Sequence, residues 1–260
     1  MNRNRNILLT NDDGIGAKGL LALTELLRPY GTITVVAPKE PQSGMSNAVS
    51  IITPIRLLPY EKGREITRYA CTGTPTDCVK IAMSQLFIDQ KPDLLVSGIN
   101  HGSNTSAAVL YSGTLGAAAE GTLYGIPSIG FSLATPHDPD ANFETCLHFG
   151  RIILEQYLSH PPAPHLYISV NIPDLPKEQI RGIRLARQGR GAWIKEFDKR
   201  VDPHGDPYYW LTGEYRNDEP EAPDTDQNLL RQGYVTVVPH QIDTTHYGEL
   251  ERLKQNWKFE

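Results

Sequence analysis

Two adjacent carboxylates, Asp12 and Asp13, follow the apolar run Ile7-Leu8-Leu9-Thr10 and precede Gly14. A short buried strand ending in paired acids places two negative charges at the carboxyl edge of a sheet, where α/β proteins hold their ligands. Like charges this close repel, so one carboxyl stays protonated unless something positive neutralises the pair. Mg2+ and Mn2+ favour carboxylate, carbonyl and water oxygens, and either would serve. Asp12 and Asp13 therefore read as the floor of a metal site. The plainer alternative is a strand-end turn in which one of them caps the next helix.

Three other stretches are expected at the same edge. Gln42-Ser43-Gly44 follows a second strand and offers the Ser43 hydroxyl as a neutral oxygen ligand. Ser97-Gly98-Ile99-Asn100-His101-Gly102-Ser103-Asn104 follows a third strand, and its amides and hydroxyls can hold a metal or phosphate oxygens without adding negative charge. Tyr111-Ser112-Gly113-Thr114 opens a helix, whose free N–H groups and positive dipole end favour an anion. Each stretch alone reads equally as a turn or a packing device. Their convergence with the acid pair points to metal-assisted phosphoryl chemistry.

A literal GxGxxG is also present at Gly14, Gly16 and Gly19, after a strand and opening a helix. That context suits a dinucleotide-binding oxidoreductase using NAD. Asp12 and Asp13 would repel its pyrophosphate, and the second strand ends in Ala37-Pro38 with no acid at its tip. The glycines are better explained as letting the backbone bend around a metal. A phospho-receiver signalling module shares an acidic pair after its first strand, but the place of its phosphorylated aspartate is taken here by Ser97 or Asn100.

The elements that position these loops alternate. Ile7-Thr10 and Thr32-Ala37 read as strands, with a helix over Ala17-Arg28 between them. Ala48-Leu58 and Glu65-Cys71 read as an antiparallel pair, followed by a helix from Thr76. Asp93-Ser97, a helix over Thr114-Tyr124 and a strand over Ile126-Leu133 come next. A Pro/Asp-rich stretch (Thr135-Ala141), a helix (Phe143-Leu158) and a strand (His165-Val170) close the regular part. The expected fold is α/β: a doubly wound, mostly parallel sheet covered on both faces, with an extended C-terminal arm. One domain spans 1–260, with an α/β core over 1–171 that carries the site. Residues 172–260 are expected to supply extended arms, a late helix (Asp226-Gln232), a strand (Tyr234-Val238), a polar terminal helix and subunit contacts. The aromatics Trp193, Tyr208, Tyr209 and Trp210 suit either subunit contact or packing on their own domain.

The composition of the 260 residues, 39% hydrophobic and 21% charged with formal net charge -5, is that of an ordinary globular protein. Acids and bases are interspersed with no basic block, which argues against duplex nucleic acid as a partner. The apolar run after Arg3 and Arg5 ends at Thr10, too short for a signal-peptide core. No apolar run reaches membrane-spanning length, so no membrane partner and a cytoplasmic location are expected. Cys71, Cys78 and Cys146 have no CxxC spacing and read as reduced thiols.

Ile7-Leu8-Leu9-Thr10-Asn11-Asp12-Asp13-Gly14, Ser43-Gly44, Gly73-Thr74-Pro75-Thr76-Asp77-Cys78-Val79, Ser97-Gly98-Ile99-Asn100 and Tyr111-Ser112-Gly113-Thr114 together resemble the SurE family of 5′/3′-nucleotidases. Val170-Asn171-Ile172-Pro173, Thr225-Asp226 and Gly233-Tyr234-Val235 extend the resemblance over nearly the whole chain. It implies a metal-dependent phosphomonoesterase acting on nucleoside 5′- and 3′-monophosphates through a metal-activated water, with Mg2+ or Mn2+ as cofactor. By the same resemblance the metal ligands fall on Asp12, Asp13, Ser43 and Asn100. Asp12 and Asp13 are also expected to be catalytic, a carboxylate of the pair serving as proton acceptor. Phosphate contacts fall on Asn104, Ser112, Gly113 and Thr114. A three-layer Rossmann-like core and a homodimer or homotetramer with exchanged C-terminal arms are implied as well. A non-catalytic metal- and nucleotide-binding module is the alternative.

Overall fold

A computed structural model describes residues 5–135 and 141–259; Arg3 and residues 136–140 of the Pro/Asp-rich stretch lie outside it. The chain runs β1 (Arg5–Thr10), α1 (Lys18–Leu27), β2 (Gly31–Pro38), β3 (Leu57–Lys62), β4 (Ile66–Cys71), α2 (Pro75–Gln85), β5 (Leu94–His101) and α3 (Gly113–Leu123). It continues with β6 (Ser128–Ala134), α4 (Glu144–Ser159), β7 (Leu166–Pro173) and β8 (Ile183–Leu185). An arm of β9 (Gly191–Ile194), β10 (Phe197–Val201), β11 (Pro207–Leu211) and β12 (Glu214–Asn217) follows. Last come α5 (Asp226–Arg231), β13 (Val235–Gln241) and α6 (Tyr247–Asn256).

The main sheet has nine strands in the order β3-β4-β2-β1-β5-β6-β7-β13-β8. Strands β4, β2, β1, β5, β6 and β7 are all parallel, whereas β3 and β13 pair antiparallel with β4 and β7. Both faces are covered, so β1 carries apolar side chains on each. Ile7 and Leu9 join the core under α1 and α4, while Leu8 joins the core under α2 and α3. The period of two along the strand sends neighbours to opposite faces. From β1 the chain steps outward to β2 and β4, then returns to β5 on the other side of β1. That reversal makes the β1/β5 carboxyl edge the topological switch point, where open sheets bind ligands.

Helix starts are written locally. Thr74 accepts from the Asp77 N–H and the Asp77 carboxylate accepts from the Thr74 N–H, a capping box with Pro75 in the first turn. Ser112 and Thr225 cap α3 and α5 more simply, their hydroxyls accepting from Leu115 N and Asn228 N.

Two stretches depart from the sequence expectation. Residues 48–56 form no strand and β3 begins at Leu57; Pro54 has no N–H for a ladder, and Asp77 instead holds this segment by accepting from Ser50 N (3.1 Å) and Ser50 Oγ (2.7 Å). Strand β5 runs past Ser97 to His101, with a register irregularity against β6 between Ser97 and Asn100. Asn100, expected in a loop, is therefore carried on the last residues of a central strand after a bulge-like break.

Strands β8 and β13 bring part of the C-terminal third back into the main sheet. Strands β9 with β12 and β10 with β11 form two small antiparallel pairs outside it. Every residue of β10 and β11 is exposed, including Phe197, Tyr208, Tyr209, Trp210 and Leu211, while Trp193 packs edge-on to Tyr215. Helix α6 buries no residue. Among the described residues no helix is long and apolar enough to cross a membrane.

Candidate active site

The turn after β1 is closed by Asn11. Its side chain accepts from Gly14 N (3.2 Å) and donates to Gly14 O (3.0 Å), and Gly14 sits at φ +101°, a conformation glycine adopts without strain. This tight loop holds Asp12 and Asp13 at the end of β1. Asp12 is buried and Asp13 half-buried.

The neighbouring loops are tied to that pair one by one. Gln42 N donates to Asp12 O (2.7 Å), which brings Ser43, exposed at the next position, beside the acids. His101 N donates to Asp13 Oδ2 (3.3 Å), which does the same for Asn100 at the end of β5. Asn100 Nδ2 donates to Gly102 O (2.8 Å), leaving Oδ1 as the acceptor of that side chain. Helix α3 starts against Asp12: Thr114 Oγ1 donates to Asp12 Oδ1 (2.5 Å). A Cβ on Gly113 would lie 2.9 Å from Asp12 Cβ and 3.1 Å from Asp12 Oδ2, so only glycine permits this approach. The loop after β2 closes the ring, with Ser46 N and Oγ donating to Tyr111 O (3.1 Å) and Leu110 O (2.7 Å). A Cβ on Gly116 would lie 2.2 Å from Ser46 O, which explains the small residues of α3.

The structure thus brings Asp12, Asp13, Ser43, Asn100, Gly113 and Thr114 to one sheet edge. Ser112 lies beside them, its Oγ spent on Leu115 N (3.1 Å). Asn104 is buried too, with its polar groups engaged: its N–H donates to Asn171 Oδ1 (2.7 Å) and its Nδ2 to Ser132 Oγ (2.8 Å). Thr114, expected to face phosphate, has its hydroxyl committed to Asp12. The GxGxxG glycines serve the chain itself. Gly14 closes the Asn11 turn, nothing crowds Gly16, and a Cβ on Gly19 would meet Ile99 O at 2.2 Å, so α1 rests directly on β5.

Burial pushes the Asp12 carboxyl up to about 6; the Thr114 hydrogen bond opposes this and the Asp13 charge adds to it. Burial thus outweighs the like-charge repulsion that the sequence made prominent. The charged form is costly here, and a cation would offset both burial and repulsion. The donor set, two carboxylates with a hydroxyl and an amide oxygen, is all hard oxygen and fits Mg2+ or Mn2+. Among the described residues no three His, Cys, Asp or Glu side chains gather into a metal cluster, here or elsewhere.

Sequence reasoning missed four contributors: the Asn11 lock, the Thr114 hydroxyl on Asp12, and the buried Asn171 and Asp226 behind the 104–112 segment. Asn11-Asp12-Asp13-Gly14 did carry a turn signal for the first. The others depend on partners far along the chain.

Comparison with known proteins gives a consistent result. Residues 7–195 match the family model described as survival protein SurE. The chain is 46% identical over 254 residues to the 5′-nucleotidase SurE of Phocaeicola vulgatus, covering 98% of this chain and 97% of that protein. It is 44% identical over 252 residues to the 5′-nucleotidase SurE of Flavobacterium psychrophilum, with 96% of each covered. The crystal structure of the SurE protein from Aquifex aeolicus superposes with a TM-score of 0.82 at 34% identity, covering 96% of this chain and 98% of that one.

Proposed function

The chain belongs to the survival protein SurE family, and from that premise we propose that it is a 5′-nucleotidase, a metal-dependent hydrolase of nucleoside monophosphates. The observation that carries this reading is the meeting of an acid pair, two neutral oxygen ligands and a helix N-terminus at the β1/β5 switch point.

Asp12, Asp13, Ser43 and Asn100 would hold the cation. Bound there, Mg2+ or Mn2+ supplies phosphate charge neutralisation and a lower pKa for water. Thr114 fixes the Asp12 carboxylate through its hydroxyl. Asp13, half-buried and accepting from His101 N, is the carboxylate assigned to take a proton from the attacking water. The start of α3 at Ser112, Gly113 and Thr114, with Asn104 behind it, would orient the phosphate. Donors fixed in advance toward the equatorial oxygens are the main help a protein gives to such a loose transition state. The substrates are nucleoside 5′- and 3′-monophosphates.

The exposed aromatics of β10 and β11 and the unpacked α6 support a homodimer or homotetramer built through the C-terminal segments. Three free, buried cysteines fit a reducing, cytoplasmic setting. The test is product analysis from a panel of 5′- and 3′-monophosphates in oxygen-18 water with Mn2+, Mg2+ or EDTA. The expected result is nucleoside plus phosphate carrying one label from water at first turnover. Binding of AMP without phosphate release would replace the enzyme by a nucleotide-binding module.

A further inference from the structure

Between Asn100 and the start of α3 the chain passes through Ser106 at φ +54°, a left-handed conformation that a non-glycine residue keeps only when its surroundings hold it there. Three bonds do so. Ser106 N and Oγ donate to Asp226 Oδ2 (2.9 Å) and Oδ1 (3.3 Å), and Ser106 O accepts from Gln188 Nε2 (2.8 Å). Asp226 is 0% exposed and also accepts from Gly189 N (2.9 Å). A Cβ on Gly189 would lie 2.7 Å from Ser106 Oγ, so the backbone there is pressed against the serine.

Arg187, Gln188 and Gly189 are the residues from which the β9–β12 arm departs, and Thr225-Asp226 is where it returns, with Arg187 bridged to Thr225. One buried carboxylate therefore joins the root of the arm to the segment that carries Asn104 and delivers the N-terminus of α3. None of its partners is a metal-site residue. The acid pair is held mainly by the turn after β1 and by β5, and meets this segment at its far end through Thr114.

We infer that Asp226 is a positioning residue: it sets the 104–114 segment for phosphate and couples the arm to that half of the site. This rests on the function proposed above. The chemistry requires an anion there. Both carboxylate oxygens accept from N–H groups on opposite sides, and an amide would turn a donor toward one of them. An uncompensated donor pair displaces the segment. A misplacement of about 1 Å costs roughly 100-fold in rate.

The experiment compares Asp226→Asn, Ser106→Ala and Gln188→Ala with the wild type. Expected for Asp226→Asn is a fall of about 10- to 100-fold in kcat/KM and a matching loss of affinity for inorganic phosphate as product inhibitor. Mn2+ affinity should fall by less than phosphate affinity, because Thr114 is the segment's hydrogen bond to the acid pair. Amide hydrogen exchange should quicken over residues 104–114 but not over β1 or β5. Ser106→Ala and Gln188→Ala, which remove one bond each, should show the same split more weakly, and they decide the matter if Asp226→Asn does not fold. Unchanged exchange over 104–114, or a lowered Tm with phosphate affinity intact, overturns the inference. If the wild type releases no phosphate from any monophosphate, the functional reading fails, yet the exchange data still decide whether Asp226 positions this segment.

Discussion

Asp12→Asn should stabilise the metal-free protein while disabling it. In the metal-free fold the Asp12 carboxyl is pushed from 3.8 to about 6, chiefly by burial. At about 1.4 kcal/mol per pH unit, that displacement is worth about 3 kcal/mol. The native pKa lies above the unfolded value, so between them the native state holds the proton more tightly. Stability therefore falls as pH rises from about 4 to about 6, and the full loss persists above that range. Asparagine carries no charge to bury, so the mutant should gain up to about 3 kcal/mol at pH 7.5, roughly 6–12 °C in Tm for a chain of this size. Other acids slope the opposite way. Glu219, held at about 2 by Arg187, and Asp243, held at about 2 by Tyr247, add stability as pH rises through the normal carboxylate range. The difference between mutant and wild type isolates Asp12. The assay is denaturant or thermal unfolding of both proteins in EDTA from pH 4 to 8. A difference that stays flat across pH, or a mutant no more stable than the wild type at pH 7.5, would refute the reasoning.

Thr114→Val removes the hydroxyl bonded to Asp12 Oδ1; it should raise the Asp12 pKa further and cost about 1.5–3 kcal/mol in holding the charged form, read as weaker Mn2+ binding by calorimetry. Gly113→Ala forces a Cβ to 2.9 Å from Asp12 Cβ and 3.1 Å from Pro75 Cγ, and should cut kcat/KM by roughly 100-fold with the circular-dichroism spectrum unchanged. Gly19→Ala meets backbone, Ile99 O at 2.2 Å, and should lower unfolding free energy by about 1–3 kcal/mol in a urea titration. The buried thiols Cys71, Cys78 and Cys146 should be inert to a thiol reagent in the native state and should titrate fully in denaturant.

Much of the fold was legible because burial on both faces writes itself into the strands. Ile7-Leu8-Leu9 and Val35-Val36-Ala37 are apolar on both faces and fully buried, and α2, α3 and α5 begin on Thr74, Ser112 and Thr225, whose hydroxyls cap them. The site was legible in its acids and in the four loops that meet. Less visible was how each residue is spent. Thr114 could be placed at a helix start, but its hydroxyl bond to Asp12 spans 102 positions. Asp226 read as the first residue of a late helix, yet its carboxylate serves Ser106, 120 positions away. Local patterns carry propensity and period; they do not carry pairing over such separations. The 48–56 segment misled for the opposite reason. Ile51 and Ile52 suggested a strand, but both are exposed, at 85% and 95%, and Pro54 interrupts the ladder that would have used them.

The central claim is that the β1/β5 edge holds a divalent cation and uses it on a phosphate monoester. Phosphate release from AMP by the wild type and Asp12→Asn, across a Mn2+ titration and in EDTA, tests it most directly. Turnover that saturates with Mn2+, vanishes in EDTA and is lost in the mutant is the predicted result. Turnover that persists in EDTA, or survives in Asp12→Asn, would contradict it.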